Sequence, residues 1–128
     1  IKPGDIFMYQ VVHETDGHIE LSLWSTVTEE EFKQVIHQLE SLCTSHPKIH
    51  VLLDAAKIEK YDFNIYIEEF DFYKKYKEHL GRVALVSDKA FEKFITGAFS
   101  KFTQMEFKSF GDSEIEEARK FIFPSRLP

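Results

Sequence analysis

The chain has 128 residues, of which 43% are apolar and 30% charged, enough for one domain around one core. Sixteen basic against twenty-two acidic residues leave a formal charge of −6, a sign that repels nucleic-acid phosphates and anionic membrane surfaces. A single cysteine, Cys43, excludes an internal disulfide and a multi-cysteine zinc site.

The first elements are two strands in "IFMYQVVHETDGHIELSLWSTV", joined at Asp16-Gly17, a hairpin-turn dipeptide. In the second strand Ile19, Leu21 and Leu23 alternate with Glu20, Ser22 and Trp24, which predicts one face on the core and the other towards solvent or a partner. "TEEEFKQVIHQLESLC" then predicts a helix. Thr28 and Glu31 form a capping box, and Phe32, Val35, Ile36, Leu39, Leu42 and Cys43 recur at helical spacing until Pro47 closes it. "IHVLLDA" is an unbroken apolar run, as expected for a central strand covered on both faces.

A second helix is predicted over 62–79 and a second buried strand in "RVALVSD". A third helix is predicted beyond Asp88, its N-cap, with Phe91, Phe94, Ile95, Ala98, Phe99 and Phe102 on one face and Gly97 in its interior. "QMEFKSF" alternates like an outer strand. Ser113 and Glu116 open a last helix with Ile115, Ala118 and Ile122 inward. The predicted architecture is a single α/β domain over 1–128, a mixed sheet of about five strands with four helices in the order ββαβαβαβα.

Several phrases in this order resemble the STAS family of bacterial anti-sigma-factor antagonists, and within it the SpoIIAA-like branch of small stand-alone proteins. They are "STVTEEEF", "HPKIHVLLD", "GRVALVSDKAFEK" and "EFKSFGDSEIEEARKFI", and the likeness runs from about residue 5 to residue 123. The resemblance implies a STAS fold, a dimer, and a kinship of fold with lipid-transfer domains. Phosphoswitch members carry Asp-x-Ser just past the third strand. This chain reads "LLDAAKIEKYDF" there, with Asp54 present and Ala56 where the hydroxyl would be, so a serine-kinase switch is not expected.

The most unusual segment is "KYDFNIYIEEFDFYKKY", residues 60–76, with seven aromatic side chains. On a helix Phe63, Ile67 and Phe70 gather on one side, Ile65, Phe72 and Tyr76 nearly opposite, and Tyr66 and Tyr73 bridge them. The apolar arc is about twice the ~100° that a one-sided helix needs. Enclosure within the monomer, a homodimer interface and a pocket for an apolar ligand each account for it. The residues assigned to recognition or ligand binding are Ile65, Phe72, Tyr73, Tyr76, Phe94 and Phe99.

The strand-end loops contribute Asp54 and Asp88, a possible carboxylate pair whose simpler roles are loop structure and capping. The six histidines show no metal-ligand spacing. His46 and His50 are separated by Pro47, and His13 and His18 flank the turn as a surface pair. Neither metal nor cofactor is expected, and no catalytic motif appears. No apolar run approaches eighteen residues, and no signal-peptide pattern is present. The functional expectation is a cytoplasmic, non-enzymatic regulatory or protein-interaction module that forms a homodimer. The alternative is a carrier or sensor of a lipid-like small molecule such as a fatty acid.

Overall fold

The computed structural model of the chain describes residues 9–61, 65–88 and 106–123. Five strands form one sheet: β1 (Tyr9–Thr15), β2 (His18–Val27), β3 (Ile49–Tyr61), β4 (Leu80–Val86) and β5 (Glu106–Phe110). Their spatial order is their chain order, β1-β2-β3-β4-β5. β1 pairs with β2 antiparallel, and each later pair is parallel. Three helices are described: α1 (Glu29–Ser45), α2 (Ile65–Tyr76), which runs into a short 3₁₀ turn at Lys77–His79, and α3 (Ile115–Ile122). The helix expected beyond Asp88, with Phe94, Gly97 and Phe99, lies outside the described residues.

The hairpin forms where the dipeptide places it. Asp16 (φ 46°) and Gly17 (φ 80°) both take the left-handed conformation that a tight two-residue turn demands, and Thr15 pairs with His18. β1 bulges between Val11 and His13, which leaves Val12 out of the ladder and exposed. At the start of α1 the Glu31 N–H donates to Thr28 Oγ1 at 3.2 Å, so the predicted cap is in place. The helix ends at Ser45, with Phe32, Val35, Leu39, Leu42 and Cys43 buried.

Strand order explains the layers. Successive parallel strands that add in one direction, with right-handed crossovers, carry their connecting helices to the same face. Accordingly α1 packs on Ile19, Leu21, Leu23, Ile49 and Val51, and Phe72 of α2 joins this core. The opposite face presents Leu52, Ala84, Val86 and Phe110, and α3 covers it with Ala118 and Ile122. Leu52 and Val51 therefore serve two cores, the physical basis of the continuous apolar run in β3.

Two expectations change. β3 continues through Tyr61, well past the apolar run, with bulges against β2 after Asp54 and after Ile58. The polar side of β2 is not a solvent face. Glu20 is buried under α3, where Arg119 Nε and Nη2 donate to its two carboxylate oxygens at 2.9 and 2.8 Å. A carboxylate between Ile19 and Leu21 reads as exposed in an alternating pattern, but a matched guanidinium 99 residues away lets it go inside.

Candidate functional site

The aromatic helix has a definite inner side. Phe72 is only 8% exposed and belongs to the α1-side core, with half-buried Tyr73 and Tyr76 packed against that core. The Phe72 and Tyr76 rings lie 5.1 Å apart, and Lys75 Nζ sits 5.4 Å above the Tyr76 ring. Phe72, assigned above to recognition or ligand binding, packs into this core and shows only a small part of its ring to the cleft beside it. A helical wheel fixes the angle between two apolar arcs but does not say which one meets the sheet. Ile65 lies in the first turn of α2, whereas Phe94 and Phe99 lie outside the described residues.

Beside Phe72 a cleft of ≈ 310 Å³ opens between α1 and α2. Ile36 and Phe72 make its apolar floor, and Lys33, His37, Glu40, Asp71 and Lys75 its rim. The rim holds both signs in near balance. Lys33 lies 3.9 and 3.8 Å from Glu29 and Glu30, His37 Nδ1 lies 3.6 Å from Glu40, and Asp71 lies 4.0 Å from Lys74. These exposed pairs are weak in water and are readily exchanged for pairs with a partner. None of the five rim residues was singled out from the sequence. The signal was there as the polar flank of two adjacent amphipathic helices, but the pairing of the helices is a tertiary fact.

Among the described residues the strand ends form no crevice of the kind expected of them. In open α/β sheets that crevice arises where strand order reverses, and this sheet has no reversal. Asp54 is not in a loop. It lies within β3, opposite Ser22 of β2, at the last position that pairs with β4. Its Oδ1 accepts the Ala56 N–H at 3.2 Å, so the carboxylate pins the bulge. Asp88 follows β4 and is exposed. Ser25, across the sheet from the bulged stretch, holds φ 59°, a left-handed conformation costly for a side-chain-bearing residue. Ser87, between β4 and Asp88, is fully buried, and its hydroxyl has no hydrogen-bond partner among the described residues.

The histidines pair differently from the sequence expectation. Parallel register sets His18 of β2 beside His50 of β3, with rings stacked at 4.6 Å, while His13 meets Phe123 edge-on at 5.0 Å. Nothing local links residues 18 and 50. Among the described residues no group of three or more His, Cys, Asp or Glu could hold a metal. Burial, reinforced by Glu40, pushes the Cys43 thiol up to about 11, so it stays protonated and unreactive. No described helix is long and apolar enough to cross a membrane.

Comparison with known proteins agrees with this architecture. The SpoIIAA-like family model matches residues 18–122. A crystal structure of an uncharacterized DUF3478-family protein with a SpoIIAA-like fold from Shewanella loihica PV-4 is similar, with a TM-score of 0.68 and 20% identity, covering 89% of this chain and 91% of that one. The anti-sigma factor antagonist SpoIIAA in its unphosphorylated form aligns with a TM-score of 0.51 at 11% identity, over 87% of this chain and 97% of that one. The Bacillus cell fate determinant SpoIIAA in its phosphorylated form aligns with a TM-score of 0.55 at 9% identity, over 85% and 96%. No curated protein matches.

Proposed function

This chain is a member of the SpoIIAA-like family, and on that premise we propose that it is a non-enzymatic, cytoplasmic interaction module that binds through its α1–α2 face without a phosphorylation switch. The observation that carries this reading is at Ala56. SpoIIAA exists in phosphorylated and unphosphorylated forms. In this chain the Asp54-Ala55-Ala56 stretch has a methyl group where the resemblance expects a hydroxyl; it lies within β3 rather than past its end, and the Ala56 N–H is held by Asp54 Oδ1. No serine or threonine occurs from Val51 to Glu69, so a serine-kinase switch has no side chain to phosphorylate in this stretch. Recognition is then constitutive and set by surface shape and charge.

The partner we propose is a second copy of the chain. Lys33 and Lys75 stand with Glu40 and Asp71 around one apolar floor. Such a patch complements itself about a two-fold axis, because each cation of one copy can meet an anion of the other. Tyr73 and Tyr76, half-buried at the edge of α2, extend the same surface. The chain's charge of −6 disfavours nucleic acid as the partner.

Native mass spectrometry tests this. The expected species is a bare dimer at twice the 15.1 kDa chain mass. Replacing Lys33→Glu together with Lys75→Glu is expected to weaken the dimer by roughly tenfold, about 1–2 kcal/mol for two rim charges. A bare monomer of the unsubstituted chain, or a dimer indifferent to both substitutions, would sink the proposed surface. Extra small-molecule mass that survives purification would favour a carrier of apolar ligands, with Ile36 and Phe72 as the floor of its site.

A further inference from the structure

His18 and His50 are stacked at 4.6 Å and 19° on the sheet face that α3 covers. Their protonation sites follow from their partners. His18 Nδ1 lies 3.1 and 2.9 Å from the carbonyl oxygens of Thr15 and Asp16, which only accept, so this nitrogen carries the hydrogen. His50 Nδ1 instead accepts the Arg82 backbone N–H at 3.0 Å, so it holds a lone pair and the ring hydrogen sits on Nε2. His50 is also wedged against Gly81, where a Cβ would come within 2.4 Å of its Cε1. Its own N–H donates to the Gly17 carbonyl at 2.8 Å.

The end of α3 rests on this stack. Phe123, 4% exposed, meets His18 at 6.1 Å and His13 at 5.0 Å between ring centroids. Arg82, whose N–H bonds His50, donates from Nη1 to the Phe121 carbonyl at 3.1 Å and lies 5.3 Å from the Phe121 ring. Two of the contacts that dock the last turn of α3 therefore run through residues tied to His50.

We propose that the His18–His50 stack is an acid-sensitive latch: when His50 gains a proton, the Phe123 end of α3 leaves the sheet while the α1 side of the molecule keeps its packing. A proton on Nδ1 abolishes its capacity to accept the Arg82 N–H. It also creates a cation against His18 on β2, Arg82 on β4 and Lys48 ahead of β3, which Glu106 on β5 opposes. Burial first, then these three groups, hold His50 below its ordinary 6.5. With His50 neutral above about 6.5 the docked state is at full strength, and the Arg82 and His18 contacts beneath α3, rather than the shift itself, pass the proton's effect on to docking. Docking weakens as pH falls from there through the lowered value, by up to tenfold per pH unit.

The test is amide exchange of the full chain by NMR at pH 7.5 and pH 5, each rate corrected for its intrinsic pH dependence. Protection at residues 119–123 is expected to fall about tenfold relative to α1. His50→Asn should remove this fall, because its Oδ1 can accept the Arg82 N–H and does not titrate. Equal losses in α1 and α3, no loss at pH 5, or the same loss in His50→Asn would each overturn the latch. Should His50→Asn fail to fold, the ring signals of His50 in the unsubstituted chain decide. They must titrate below 6.5 with the same midpoint as the α3 amides, and different midpoints overturn the proposal.

Discussion

Arg119 illustrates how a single side chain closes one face of this protein. It bonds both oxygens of buried Glu20 and, through Nη1, Glu116 on its own helix at 2.7 Å. Removing the guanidinium alone strands a carboxylate whose side chain is only 3% exposed. Arg119→Met is therefore expected to cost about 3 kcal/mol, whereas Glu20→Leu with Arg119→Met should recover most of it, read by urea denaturation of the four chains of the cycle. If both single variants and the pair are equally stable, the buried pair contributes nothing. Phe72 makes the matching point on the other face. Phe72→Ala is expected to cost about 3–5 kcal/mol, since it empties a core site, so it is unsuitable as a probe of association. An unchanged urea midpoint would return Phe72 to the surface.

Elements were legible in the sequence where a local rule governs them. The Asp16-Gly17 turn, the Thr28 cap and the stripe on α1 all follow from residues within one or two turns of one another. Gly17 is needed both for its φ of 80° and for space, because a Cβ there would stand 3.0 Å from the Lys48 carbonyl and 3.2 Å from the His46 ring. Gly17→Ala is expected to cost about 1–2 kcal/mol. The check is the thermal midpoint, and no shift would mean that the turn relaxes freely. The extent of β3 was less legible. Its apolar run ends at Asp54, but pairing with β2 carries the strand on to Tyr61 through two bulges. A backbone ladder needs a neighbour, not an apolar side chain.

At the scale of the whole molecule, the sequential strand order has the widest consequences. It gathers α1 and α2 on one face and gives the other to α3 among the described helices. It also removes the switch-point crevice, which shifts attention from Asp54 and Asp88 to the cleft between α1 and α2. The two faces then have different characters. One carries a mixed-charge cleft suited to recognition. The other carries a polar row of His18, Glu20, His50 and Arg82 beneath a short helix. Association measured by mass and α3 protection measured by pH consequently report on opposite sides of the sheet.

The amino-acid sequence by itself determined the α/β class, the hairpin, the five strands, the α1 stripe and the want of a hydroxyl at Ala56. Period, capping and turn chemistry act over a few residues, and composition is read directly. Only the tertiary structure decided that Phe72 faces inward, that Glu20 meets Arg119, and that His18 stacks on His50. Those outcomes depend on parallel register and on which layer closes over each face, interactions between residues tens of positions apart that no local pattern encodes.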